Sequence, residues 1–174
     1  VVHNGIIENY RVLRAKLAQH QIAAETETDT ETVAMLCNWH LDQGLTPVDA
    51  AKATIAELEG AYALCFLFDG EPDLLVAARK GSPLAIGWGE GEMFVGSDAL
   101  ALAPMTDQIT YLEEGDMAVI TRAGAMFMDA ARNTVERARK KVNLSAMSTD
   151  KAGHKHFMAK EIAEQPMVLA NAVK

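Results

Sequence analysis

Along this chain the apolar positions first keep a helical spacing and then close up into runs. From Glu8 to His20, residues suited to burial recur at Tyr10, Leu13 and Leu17, one face of a helix. Thr28-Asp29-Thr30-Glu31 has the form of a capping box and opens a second helix. Its buried stripe is Val33, Leu36, Cys37 and Leu41, and Gly44 ends it. Thr46-Pro47 starts a third helix, with Ile55 and Leu58 on the inner side and Gly60 as the stop. After Gly60 the period changes. Ala61 to Phe68 is a continuous apolar run of strand length, which predicts a strand buried on both faces. Further short strands are predicted at Leu74–Ala78, Leu84–Gly87, Met93–Gly96, Ile109–Tyr111, Met117–Ile120 and Ala125–Met128. Ser97-Asp98 caps a short helix through Leu102.

Helices followed by a run of short strands predict an α+β layered domain. The stretch from Asn133 to Lys155 loses periodicity and reads as a linker, and His156 to Lys174 is helical again, as the beginning of another domain. The division expected is therefore 1–132, 133–155 and 156–174. The chain opens on Val1-Val2, read as the end of a strand, with His3-Asn4-Gly5 as the turn after it. Such a start leads to the expectation that an upstream segment is missing.

Composition narrows the function without choosing it. The chain has 174 residues and a net charge of -8, which argues against nucleic acid or an anionic membrane as partner. No apolar run approaches the ~18 residues of a membrane span. Cys37 and Cys65 are the two cysteines, too few for a disulfide framework, and they point to a reducing, cytoplasmic compartment.

Each candidate for chemistry has a structural and a functional reading. The Asn4 side chain and an adjacent backbone N–H, such as that of Gly5, can hold an oxyanion, or the pair can simply make a tight turn. Asp29, at a helix start, can bind an ammonium group or compensate the helix dipole. Cys37 and Cys65 lie on apolar faces without basic neighbours and read as core rather than as nucleophiles. His154-Lys155-His156 has no supporting ligand spacing and Gly87–Gly91 no phosphate-loop lysine, so no metal and no organic cofactor is expected.

An ordered set of segments adds a resemblance. Val1-Val2-His3-Asn4-Gly5-Ile6-Ile7-Glu8-Asn9-Tyr10, Thr26-Glu27-Thr28-Asp29-Thr30-Glu31, Arg79-Lys80-Gly81-Ser82-Pro83-Leu84, Gly96-Ser97-Asp98-Ala99, Tyr111-Leu112-Glu113-Glu114-Gly115-Asp116 and His156–Pro166 occur in this order. Together they resemble the class II glutamine amidotransferases of the glutamine–fructose-6-phosphate aminotransferase branch, over essentially the whole chain. The resemblance implies an N-terminal-nucleophile fold, αββα, with helices covering two stacked antiparallel sheets, here truncated at its N-terminus. It also implies a glutaminase segment followed by the start of a sugar-isomerase domain. The implied reaction is attack of an N-terminal cysteine on the glutamine amide, then transfer of ammonia to fructose 6-phosphate, giving glucosamine 6-phosphate and glutamate.

Carried across residue by residue, Asn4 and Gly5 match the oxyanion hole, and Gly5 and Asp29 match the contacts to glutamine. Tyr62 and Ser82 fall in similar segments and receive no role. The intact protein is expected to be a homodimer, with fructose 6-phosphate bound in the half beyond Lys174. The chain starts with Val1 and not with the family's N-terminal cysteine, so residues 1–174 alone are expected to be inactive. Two alternatives stay open: a catalytically dead glutamine-binding or regulatory module, and a related class II amidotransferase with another acceptor.

Overall fold

The structure, a computed structural model, describes residues 1–142 and 153–172. It divides into two units, Val1–Val142 and Asn143–Lys174. In the first unit, β1 (Val2–Ile7) leads into three helices, α1 (Tyr10–Ala18), α2 (Asp29–Asp42) and α3 (Pro47–Glu57). The strands β2 (Gly60–Leu67), β3 (Leu75–Lys80), β4 (Ala85–Trp88) and β5 (Met93–Gly96) follow, then the short helix α4 (Ala99–Leu102). β6 (Gln108–Tyr111), β7 (Met117–Thr121), β8 (Gly124–Met128), β9 (Thr134–Val135) and β10 (Lys140–Lys141) complete it. The second unit contains α5 (Phe157–Ala172), on which Phe157, Met158, Ile162 and Leu169 are exposed.

The strands form two antiparallel sheets, one ordered β1-β2-β3-β7-β8-β9 and the other β10-β6-β4-β5. The larger sheet is apolar on both faces, which suits a middle layer. One face, with Ile7, Tyr62, Leu64, Phe66, Val76 and Ala78, packs on Leu13 and Leu17 of α1, Val33 and Leu36 of α2 and Ile55 of α3. The other face, with Ala63, Ala77, Ala118, Ile120 and Phe127, packs on Leu84 and Ile86 beside the smaller sheet. α4 packs against that sheet, where a Cβ at Gly96 would stand 2.9 Å from Leu102.

The start of the chain departs from the sequence reading. His3-Asn4-Gly5 is not a turn after a strand but the middle of one, since all six residues of β1 pair with β2, from Val2 opposite Cys65 to Ile7 opposite Gly60. Asn-Gly signals a turn only where the chain reverses, and here β1 runs on to Ile7. Gly5 has φ 128° and lies so close to β2 that a Cβ would stand 2.1 Å from the Ala61 carbonyl oxygen. Its requirement is close backbone approach rather than reversal. The stretch read as a linker begins with ordered pairing: β9 joins β8, β10 joins β6, and the compact unit runs to Val142.

Among the described residues β1 is one edge of the larger sheet and β9 the other. Val2 and Ile6, on its sheet-side face, are 64% and 66% exposed. Among the described residues, no helix is long and apolar enough to cross a membrane.

Candidate functional site

The site candidates gather where β1 meets the first turn of α2. Residues alternate along a strand, so His3, Gly5 and Ile7 share the helix-covered face, while Asn4 faces the other way with its partner Ala63. The backbone amides alternate as well. The Ile7 N–H is not used in the ladder to β2; it donates to Oδ2 of Asp29 at 2.8 Å. By the same alternation the Gly5 N–H points to that open edge, two residues from the carboxylate. The Asn4 side chain is exposed and enters no hydrogen bond among the described residues. The structure therefore brings Asp29 to the strand edge that carries Gly5, 24 positions earlier in the sequence, while the Asn4 side chain lies on the opposite face of the same strand.

Asp29 is the first residue of α2, where the helix dipole favours its charge. Only one of its oxygens is committed. Oδ1 lies 3.8 Å from Nδ1 of His3, beyond hydrogen-bonding range, and the side chain is 24% exposed. A partly exposed carboxylate with one oxygen uncommitted is equipped to accept an ammonium group.

The loop that delivers Asp29 is held by two side chains. Arg14 of α1 donates from Nε to Thr32 Oγ1 at 2.8 Å, from Nη1 to the Thr26 carbonyl at 2.9 Å and from Nη2 to the Thr28 carbonyl at 2.6 Å. Glu31 accepts from the backbone N–H groups of Glu25 and Thr26 at 2.7 and 2.9 Å and from the Thr26 hydroxyl at 2.7 Å. These donors, the Glu25 amide first, hold the Glu31 carboxyl below its ordinary value. The capping box is thus half formed. Thr28 accepts from the Glu31 N–H, but the Glu31 carboxylate reaches back past Thr28 to close the loop instead.

The sequence reading passed over His3, Thr30 and Arg14. His3 Nδ1 lies 2.9 Å from Thr30 Oγ1, and the imidazole is only 2% exposed. The signal was available in the spacing: His3 is two residues from Gly5, which in a strand means the same face.

The remaining segments serve as fasteners. The Arg79 N–H donates to the Asp116 carbonyl at 2.9 Å, and the Arg79 carbonyl accepts from the Gly115 N–H at 3.1 Å. The Gly81 N–H donates to both oxygens of Glu114, at 2.9 and 3.0 Å. Asp116 is 1% exposed and receives Arg137 through Nε at 2.7 Å and Nη2 at 2.8 Å, and the Glu113 N–H at 2.7 Å. Tyr62 is buried opposite Gly5, and Ser82 is half-buried after β3. Burial pushes both thiols up, Cys65 to about 11. Neither is an activated nucleophile. Among the described residues no cluster of His, Cys, Asp and Glu is arranged to hold a metal ion.

Known proteins share both the sequence and the fold. A family described as the glutamine amidotransferase domain matches residues 1–104. The glutamine–fructose-6-phosphate aminotransferase (isomerizing) of Bradyrhizobium diazoefficiens is 55% identical over 168 residues, 97% of this chain and 28% of that protein. The protein of the same name from Brucella abortus is 52% identical over 173 residues, 99% of this chain and again 28% of the relative. The chain thus spans little more than a quarter of the length of these curated relatives. Among solved structures, the glutamine phosphoribosylpyrophosphate amidotransferase from B. subtilis, complexed with ADP and GMP, matches 76% of this chain and 29% of its own. The TM-score is 0.61 at 27% identity. The N-terminal-nucleophile amidotransferase fold expected from the resemblance, helices over two antiparallel sheets, is the fold observed.

Proposed function

Because the chain belongs to the glutamine amidotransferase domain family, we propose that it carries one wall of the glutamine site in an aminotransferase that makes glucosamine 6-phosphate. The parent reaction hydrolyses glutamine and passes the ammonia to fructose 6-phosphate, leaving glutamate. The observation that carries this reading is the placement of Asp29 against the strand edge of Gly5 through the Ile7 N–H, with its Oδ1 beyond hydrogen-bonding range of His3 and the Gly5 N–H turned by strand alternation to the same edge. The identity of 52–55% to proteins named glutamine–fructose-6-phosphate aminotransferase supports the choice of acceptor.

In this reading Asp29 holds the α-ammonium of glutamine by charge and hydrogen bonding. The Gly5 N–H and the Asn4 side-chain N–H stabilise the oxyanion that forms when the amide carbonyl is attacked. Losing one such donor costs roughly 2.7–4 kcal/mol of transition-state stabilisation. The attacking thiolate is supplied from outside these residues, since burial holds both thiols here in the unreactive form. Residues 1–132 form the glutaminase part, 133–155 the connection and 156–174 the opening of the sugar-isomerase part. The assembly is a homodimer in the cytoplasm, consistent with two unbridged thiols.

The test is an assay of the protein expressed from its complete coding sequence, with glutamine and fructose 6-phosphate supplied together. Equal yields of glutamate and glucosamine 6-phosphate are expected, with loss of both in Asp29→Ala. Glutamate release without amino sugar would move the acceptor elsewhere, and absence of both products would leave a binding module.

A further inference from the structure

β1 grips α2 at two points. Ile7 holds Asp29 through its backbone N–H, and His3 holds Thr30 through Nδ1 and the threonine hydroxyl, 2.9 Å apart. The two gripping residues stand on the same face of the strand with Gly5 midway between them. At about 3.3 Å per residue they are roughly 13 Å apart. Arg14 holds this helix start to α1 through Thr32 and the Thr28 carbonyl, and the two contacts from β1 set its place along the strand. The Gly5 amide lies inside the span that they define.

The chemistry of His3 argues that this contact, not space-filling, is the reason for the residue. The ring is 2% exposed, and its Nε2 is buried with no hydrogen-bond partner. A buried nitrogen without a partner is a cost. An apolar side chain of similar size would fill the space without it. What an apolar residue lacks is the nitrogen at the Nδ1 position.

We propose that His3 is a positioning residue of the glutamine site: by holding Thr30 it fixes the first turn of α2 on β1 and sets the Asp29 carboxylate against the Gly5 amide. This rests on the reading of Asp29 as the anchor for the α-ammonium of glutamine. His3 touches no substrate atom in this arrangement; it acts through Thr30 and Asp29. Binding of glutamine, rather than the chemical step, is what it governs.

The experiment uses the protein expressed from its complete coding sequence, with His3→Leu, His3→Asn and Thr30→Val. Asparagine places its side-chain N–H where Nδ1 stands; leucine does not. His3→Leu and Thr30→Val are expected to raise the KM for glutamine about tenfold, the effect of one ordinary hydrogen bond, with kcat within about twofold. His3→Asn is expected to restore the wild-type value. Hydrogen exchange on the peptide containing Ile7 gives a readout independent of activity: faster exchange in His3→Leu, normal exchange in His3→Asn. Unchanged KM and unchanged Ile7 exchange in His3→Leu would overturn the proposal, as would a fall in kcat at constant KM. If His3→Leu does not fold, Thr30→Val decides by the same two measurements. If the wild-type protein hydrolyses no glutamine, the glutamine reading falls, and Ile7 exchange alone decides whether His3 holds the helix.

Discussion

The backbone N–H of Ile7 donates to Oδ2 of Asp29 at 2.8 Å, tying a strand edge to the first residue of a helix. Replacing Asp29 by Asn keeps an acceptor for Ile7 and removes the charge, whereas Ala removes both. Asp29→Ala is therefore expected to lower the unfolding free energy by about 1–3 kcal/mol, and Asp29→Asn by less. Glutamine binding should fail in both. Urea denaturation and the KM for glutamine separate the two effects.

Gly5→Ala meets two obstacles at once, a φ of 128° and a Cβ 2.1 Å from the Ala61 carbonyl oxygen. The obstruction is backbone and cannot rotate away. A loss of at least ~2 kcal/mol is expected in the same denaturation experiment. Near-wild-type stability would mean that β1 and β2 can part locally.

Much of this was legible in the sequence where local rules and burial agree. Thr46-Pro47 capped α3 as its pattern indicated, with Thr46 accepting from Asp49, and the run after Gly60 became the doubly covered strand β2. The misreading at His3-Asn4-Gly5 has a physical origin: glycine serves both reversal and close approach, and only the position of β2 distinguishes them. Spacing could place His3 on the face of Gly5 but could not name its partner Thr30, which is 27 positions away. The start of the stretch read as a linker gives up periodicity yet is ordered, because Arg137 reaches Asp116, a partner that spacing cannot announce.

That ion pair invites its own test. Arg137→Ala strands a carboxylate that is 1% exposed and retains only the Glu113 N–H. Breaking a buried pair from one side costs about 3–5 kcal/mol. Arg137→Lys keeps the charge but loses the two-pronged geometry and should fall between. Thermal melts of the three proteins give the ranking.

Glu31 sets a pH dependence with a definite sign. Its folded value lies below the ordinary 4.5 because N–H groups of Glu25 and Thr26 favour the ionised form. Its contribution is fully present above 4.5 and is lost as pH falls through the lower folded value. The Tm difference between wild type and Glu31→Gln should therefore be constant near neutral pH and shrink below about pH 4.5. A difference that grows on acidification would contradict this.

The thiols give the last expectation. Burial raises Cys37 and takes Cys65 to about 11, so neither is a thiolate near neutral pH. The polypeptide of residues 1–174 should react slowly with a disulfide reagent until denatured and should release no glutamate from glutamine. Fast labelling of the native chain would place one thiol in a different environment.

The three helices stand between β1 and β2 in the chain, yet Ile7 lies opposite Gly60 and Val2 opposite Cys65. That separation dictates an order of events. α1, α2 and α3 close on one another through short-range contacts, and their packing shortens the effective loop that β1 must span before it can dock. The edge bearing Gly5 is consequently expected to dock after the helices, one of which carries Asp29, have packed. Catalytic competence would then lag compaction during refolding, and the interval between the two would time the docking of a single strand.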